Sequence, residues 1–82
     1  MKLKILSPGK TIYDGNSDSI ILPSKHCGAF LVMEDHAPIV AALEEGIVKY
    51  TVDGEDYEFQ ISGGFAEVRN NNVSVCVEIK PN

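Results

Sequence analysis

The sequence predicts an all-β fold, a flattened sandwich or barrel of about eight to ten short, mostly antiparallel strands. Three observations carry this. Apolar and polar residues alternate with a period of two: Val73, Val75, Val77 and Ile79 against Ser74, Cys76, Glu78 and Lys80, and Tyr57, Phe59 and Ile61 against Glu58, Gln60 and Ser62. That is the pattern of a half-buried strand. Turn signals recur throughout, at Ser7-Pro8-Gly9, Asp14-Gly15-Asn16, Ser24 to Gly28, Glu34 to Pro38, Glu44-Glu45-Gly46, Asp53-Gly54 and Asn70-Asn71-Asn72. Helix signals are weak, whereas valine and isoleucine suit a pleated surface.

Taken in order, Lys4 to Leu6 form an early strand that ends in the Ser7-Pro8-Gly9 turn. Thr11-Ile12-Tyr13 is strand-like and leads to the Asp14-Gly15-Asn16 turn signal. Ile20 to Pro23 is the next apolar run, and a further short strand fits between the turns at Ser24 to Gly28 and Glu34 to Pro38. Ala41-Ala42-Leu43-Glu44-Glu45 has the makings of one helical turn, but Gly46 stops it early. Pro38 to Glu45 therefore reads as a strand or an irregular crossing.

Asp53-Gly54 between β-rich runs signals a two-residue type I′ turn. It sets Val52 opposite Glu55, Tyr50 opposite Tyr57 and Val48 opposite Phe59 on one face, with Lys49 meeting Glu58 and Thr51 meeting Asp56 on the other. A one-residue slip would destroy that separation of apolar from charged residues. Gly63-Gly64 inside a strand pattern reads as a bulge, a bend or a close approach by another backbone. For the last hairpin an Asn71-Asn72 turn sets Val68 against Val75, Ala66 against Val77 and Gly64 against Ile79; a three-residue turn with a bulge is its rival.

With 82 residues there is room for one domain, residues 1–82. Net charge is −5, and the seven basic residues are scattered. That balance excludes a nucleic-acid partner, which needs clustered cations to displace counterions, and direct docking on anionic lipid. No apolar run approaches the roughly 18 residues of a membrane-spanning helix, and the N-terminal stretch is not a signal peptide. Cys27 and Cys76 read as reduced thiols.

The chemically suggestive groups have plainer readings. Pro8-Gly9-Lys10-Thr11 lacks the earlier glycine of a phosphate loop, since position 4 is Lys4, and a strand-like run follows it. His26-Cys27 with His36 lack the paired spacing of a zinc site. Asp53, Glu55, Asp56, Glu44 and Glu45 flank turns, where solvated carboxylates protect strand edges. His36-Ala37-Pro38 is more specific, because Pro38 keeps Ala37 out of the helical region. We identify no catalytic residue, metal ligand or cofactor.

In combination these stretches resemble the N-terminal β-sandwich domain of the epsilon subunit of the F-type ATP synthase. The matching stretches are Lys4-Ile5-Leu6-Ser7-Pro8, Tyr13-Asp14-Gly15, Ile20-Ile21-Leu22-Pro23, Gly28, His36-Ala37-Pro38-Ile39-Val40, Leu43, Gly46, Ser62-Gly63-Gly64-Phe65-Ala66-Glu67-Val68 and Val73-Ser74-Val75. Departures are Leu31 for the usual glycine after Phe30, Glu34-Asp35 for the usual Pro-Gly, and Ala29 for a frequent acidic residue.

The resemblance implies a non-catalytic central-stalk subunit, bound to the gamma subunit and the c-ring. Its role would be to couple proton-driven ring rotation to ATP synthesis. It would lie peripherally, without membrane insertion, on the cytoplasmic face of a bacterial plasma membrane. The implied ring-facing end comprises the loops around His26, Cys27, Gly28, Ala29 and Phe30 and around Glu34, Asp35, His36, Ala37 and Pro38. The implied gamma-facing residues are Ile39, Val40, Ser62, Gly63, Gly64 and Phe65. Many members continue as a helical hairpin; a chain ending at Asn82 would be a short form without epsilon-type inhibition or nucleotide binding. The rival readings are a free-standing β-sandwich ligand-binding module and an acid–base enzyme using His36 with Glu34 or Asp35.

Overall fold

The computed structural model describes residues 1–80. These form eight strands: β1 (Lys2–Ser7), β2 (Lys10–Asn16), β3 (Ser19–Ser24), β4 (Gly28–Met33), β5 (Ile39–Leu43), β6 (Gly46–Val52), β7 (Glu55–Arg69) and β8 (Asn72–Ile79). The strands run in the order β2-β1-β8-β7-β5-β3-β4, with β6 pairing to β3 and β7. Every pairing is antiparallel except β1 with β8. The all-β sandwich expected from the alternation is the fold observed, and Pro38 to Glu45 contributes a strand.

One long hairpin organises the sandwich. β7 is 15 residues long; its first half pairs with β6 and its second half with β5. Both pairings continue in one register, from Val52↔Glu55 through Gly46↔Ile61 to Leu43↔Gly64 and Ile39↔Val68. Residues 39–52 therefore act as one strand interrupted at Glu44-Glu45, opposite the stretch Ser62-Gly63. There the hairpin passes from one layer to the other, and β7 carries a bulge against β8 between Ile61 and Gly63.

Gly64 shows why this corner needs glycine. Its φ is +149°, and a Cβ placed on it would lie 2.2 Å from the Cys76 carbonyl oxygen. At Gly63 the same atom would meet nothing nearer than the Leu43 carbonyl oxygen at 3.8 Å. Close approach of a neighbouring backbone thus explains the second glycine of the pair and not the first.

The Asp53-Gly54 hairpin has the register read from the sequence, with both turn residues at positive φ. Its ion pair differs. Lys49 Nζ reaches diagonally to Asp56 Oδ2 at 3.4 Å, not to Glu58. Thr51 holds the carboxylate in place, its Oγ1 donating to Asp56 Oδ1 at 2.6 Å.

The last hairpin turns one residue earlier than expected. Asn70 and Asn71, at φ 51° and 60°, are its central residues, so Arg69 pairs with Asn72, Val68 with Val73, Ala66 with Val75 and Gly64 with Val77. The pairing moves by two residues, so each side chain keeps its face. Asp14-Gly15-Asn16 is no turn; it is the end of β2, paired with Lys4, Leu3 and Lys2.

Alternation then fills the core. Leu3, Ile5, Ile20, Leu22, Val32, Leu43, Val48, Ile61, Val73 and Val75 are fully buried between the layers. Among the described residues no helix is long and apolar enough to cross a membrane.

Candidate functional site

Four short segments singled out in the sequence fall on the flank and outer face of this sandwich. The first is the β3–β4 turn. Ser24 is buried and organises it, accepting a hydrogen bond from the Cys27 amide at 3.0 Å and donating to the Gly28 carbonyl at 2.9 Å. Gly28 sits at φ +70°, a conformation other residues adopt at a cost. The Lys25 amide donates to the Ala42 carbonyl, tying the turn to β5. Lys25, His26, Cys27 and Ala29 are exposed, and Phe30 packs partly against the core.

The second segment, Glu34 to Pro38, lies at the other end of β4. Asp35 takes φ +64°. Its amide donates to Asn71 Oδ1 at 2.6 Å, and Asn71 Nδ2 donates back to Asp35 Oδ1 at 3.2 Å. The His36 amide donates to the Met33 carbonyl, and its Nδ1 lies 2.7 Å from the Ala37 carbonyl oxygen. A carbonyl only accepts, so Nδ1 carries the proton of this bond. His36 shapes its own loop; Asp35 is the residue that attaches the loop to the body.

The two loops lie at opposite ends of β4. A six-residue strand separates them, about 17 Å at the usual rise per residue. What they share is β4, which among the described residues pairs with β3 alone. The same separation keeps His26 and Cys27 from converging with His36.

The third and fourth segments meet on the outer face of β5, β7, β8 and β1. Val40 is 73% exposed and Phe65 55% exposed. Phe65 pairs with Ala42 on one side and Cys76 on the other, and Cys76 pairs with Leu6. An apolar stripe thus crosses four strands. It ends in an open groove of about 540 Å³ lined by Leu6, Pro8, Gly63, Phe65, Cys76 and neighbours. Ile39, grouped with Val40 in the sequence reading, stands on the opposite face of β5 at the rim of the core. Ser62 and Gly63 sit at the corner, where Ser62 Oγ donates to the Glu78 carbonyl. Ala42, Cys76 and Leu6 were not assigned to a contact face in the sequence; their places in the alternation of their own strands were the available signal.

The remaining chemistry is quiet. Tyr50 stacks with Tyr57, and Tyr13 tilts against Tyr50. Burial, then the neighbouring Tyr13, raises the Tyr50 phenol, and a hydrogen bond to Glu55 raises Tyr57. Both phenols stay protonated at neutral pH. Asp56 is lowered by its hydrogen bond from Thr51 and then by Lys49. Cys27 and Cys76 are free thiols.

This arrangement defines a class: a packed β-sandwich that presents an apolar outer face beside constrained loops. A profile of the ATP synthase delta/epsilon chain β-sandwich domain matches residues 1–79, and the chain belongs to that family. Among its relatives is the ATP synthase epsilon chain of Thermosynechococcus vestitus, 38% identical over 77 residues, covering 94% of this chain and 55% of the relative. The chloroplastic ATP synthase epsilon chain of Porphyra purpurea is 35% identical over 77 residues, covering 94% and 57%. The chain thus spans little more than half the length of these relatives. In fold it is similar to a chain in the cryo-EM structure of the Euglena gracilis mitochondrial ATP synthase OSCP/F1/c-ring, with a TM-score of 0.84, 24% identity and coverage of 92% of this chain and 48% of that one. A chain of the Tetrahymena thermophila mitochondrial ATP synthase central stalk and c-ring gives a TM-score of 0.79 at 16% identity, covering 94% and 62%.

Proposed function

We propose that this chain is the sandwich part of a central-stalk subunit that couples proton-driven rotation of a c-ring to the gamma subunit, and so to ATP synthesis. It makes and breaks no bonds itself. Family membership and the names of the relatives support the setting. The observation that carries the reading is the apolar stripe Ala42, Phe65, Cys76 and Leu6, with Val40 beside it. Such a face on a domain whose core is already complete fits a protein partner. We assign gamma to this face, with Val40, Ser62, Gly63, Gly64 and Phe65 at the contact and Ile39 at its rim.

The c-ring is assigned to the flank along β4, through His26, Cys27, Gly28, Ala29 and Phe30 at one end and Glu34, Asp35, His36, Ala37 and Pro38 at the other. A body fixed by strand pairing on every layer is stiff, which torque transmission requires. The subunit would sit peripherally on the side of the membrane that bears the catalytic head, the cytoplasmic face in a bacterium. Capture of purified gamma and c-ring by the immobilised chain tests this. Binding of gamma that survives washing supports the assignment, and failure to capture gamma overturns it.

A further inference from the structure

The sandwich has two edges, and they are built differently. The β2 edge carries Lys10 and Asp14, is interrupted by Gly15, and is distorted by a register shift against β1 between Ile5 and Leu6. Charges and bulges of this kind prevent a strand edge from pairing with another chain. The β4 edge has none of them. Its sequence is Gly28-Ala29-Phe30-Leu31-Val32-Met33, without a charge or a proline, and it pairs with β3 in unbroken register from Ser24↔Gly28 to Ser19↔Met33. Leu31 and Met33, on its outer face, are 48% and 54% exposed.

Charge is distributed around this edge in a self-complementary way. The cation Lys25 precedes β4; the carboxylates Glu34 and Asp35 follow it. We infer that β4 is a self-pairing edge, by which two copies of the free chain join antiparallel across a two-fold axis into one continuous sheet. Antiparallel pairing brings the Lys25-His26 end of each copy to the Glu34-Asp35 end of the other. Parallel pairing would stack the acidic ends together. A two-fold axis perpendicular to the sheet pairs residues of the same face, so the register must centre on a residue. Centring on Phe30 brings His26 and Lys25 level with Glu34 and Asp35 and puts Cys27 opposite Met33. Centring on Leu31 leaves Lys25 beyond the acidic pair. The charges select orientation and register; the backbone hydrogen bonds and the joined apolar face of Ala29, Leu31 and Met33 hold the pair.

The pair would cover the flank assigned above to the c-ring, so self-pairing and ring docking exclude each other. The inference itself does not depend on that assignment, because it concerns the free chain.

Sedimentation equilibrium or light scattering on the 82-residue chain tests it. The expected result is a mass rising from 8.9 kDa towards twice that value with concentration, less so at high salt. Leu31→Lys changes a half-exposed side chain and places two like charges close to the axis. It should weaken the pair at least tenfold while the circular dichroism spectrum is unchanged. In a Cys76→Ser background, Met33→Cys should form a disulfide with Cys27 of the second copy on mild oxidation, and Thr11→Cys on the β2 edge should not. A chain that stays at 8.9 kDa up to about 1 mM overturns the inference. So does a dimer that Leu31→Lys leaves intact, or cross-linking that is as efficient from Thr11→Cys.

Discussion

Asp35 and Asn71 hold each other by two hydrogen bonds, the Asp35 amide donating to Asn71 Oδ1 at 2.6 Å and Asn71 Nδ2 donating to Asp35 Oδ1 at 3.2 Å. The contact joins the loop between β4 and β5 to the turn between β7 and β8. Asn71 also needs positive φ for that turn. Asn71→Gly keeps the turn conformation and removes both bonds. We expect a loss of about 0.5–1.5 kcal/mol in unfolding free energy and faster hydrogen exchange at the Asp35 amide. Unchanged exchange there would show that the loop is held by something else.

The Gly63-Gly64 pair separates into one replaceable and one irreplaceable position. Gly64→Ala drives a methyl group to 2.2 Å from the Cys76 carbonyl oxygen in a backbone conformation that L-residues avoid. It should cost about 3 kcal/mol or more, from strain and overpacking together. Gly63→Ala should stay within about 1 kcal/mol. Urea unfolding of the two variants decides the matter, and equal midpoints would refute the argument.

Binding of gamma should respond to charge on the outer face without loss of fold. Val40→Asp and Phe65→Glu alter exposed side chains, so their unfolding midpoints should remain near that of the parent. Affinity for gamma should fall by about 30-fold or more for Phe65→Glu, the scale of a contact hot spot. Titration calorimetry with purified gamma measures it. An undiminished affinity in both variants would move gamma to another surface.

Acid stability should carry a signature of Asp56. Its pKa is lowered by Thr51 first and Lys49 next. A lowered folded-state value means that the contribution is present above the unfolded pKa of about 3.9 and is lost as pH falls through the folded value. The carboxylate is exposed, so the effect is small. Thr51→Val should raise the Asp56 pKa and flatten the stability profile on the acid side. Carboxyl chemical shifts followed through a pH titration would report it; an Asp56 curve that does not move contradicts the assigned cause.

Much of the fold was legible because a half-buried strand writes its burial in alternation. Val48, Tyr50, Val73, Val75 and Val77 read directly as core. The Asp53-Gly54 register followed because only one pairing keeps apolar residues on one face. The Asn70-Asn71 turn was missed by one residue because three successive asparagines all tolerate positive φ, and the shift preserves faces, so the pattern offers no penalty against it. Gly15 looked like a turn residue and instead leaves room for the Tyr13 ring, whose hydroxyl oxygen would lie 3.0 Å from an added Cβ.

The candidate site was only partly legible. Loops stood out as short clusters of turn residues, but their grouping depends on strand direction, and β4 carries the chain away from the first before the second begins. The outer-face stripe was harder. Ala42, Cys76 and Leu6 come from three separate strands, and only the pairing of β5, β7, β8 and β1 brings them to Phe65.

The unbroken register from Val52↔Glu55 to Ile39↔Val68 also has a kinetic meaning. A hairpin of this kind can close like a zipper from Asp53-Gly54, each new pair enclosing a slightly larger loop at little extra entropic cost. The parallel pairing of Lys2 with Asn72 spans nearly the whole chain and has no such local start. Folding should therefore begin at the Asp53-Gly54 hairpin and finish with β1 settling on β8. Truncations such as Val48→Ala should slow refolding, whereas Leu3→Ala should mainly speed unfolding. The same long hairpin that gives the sandwich its shape would then set the order in which that shape is reached.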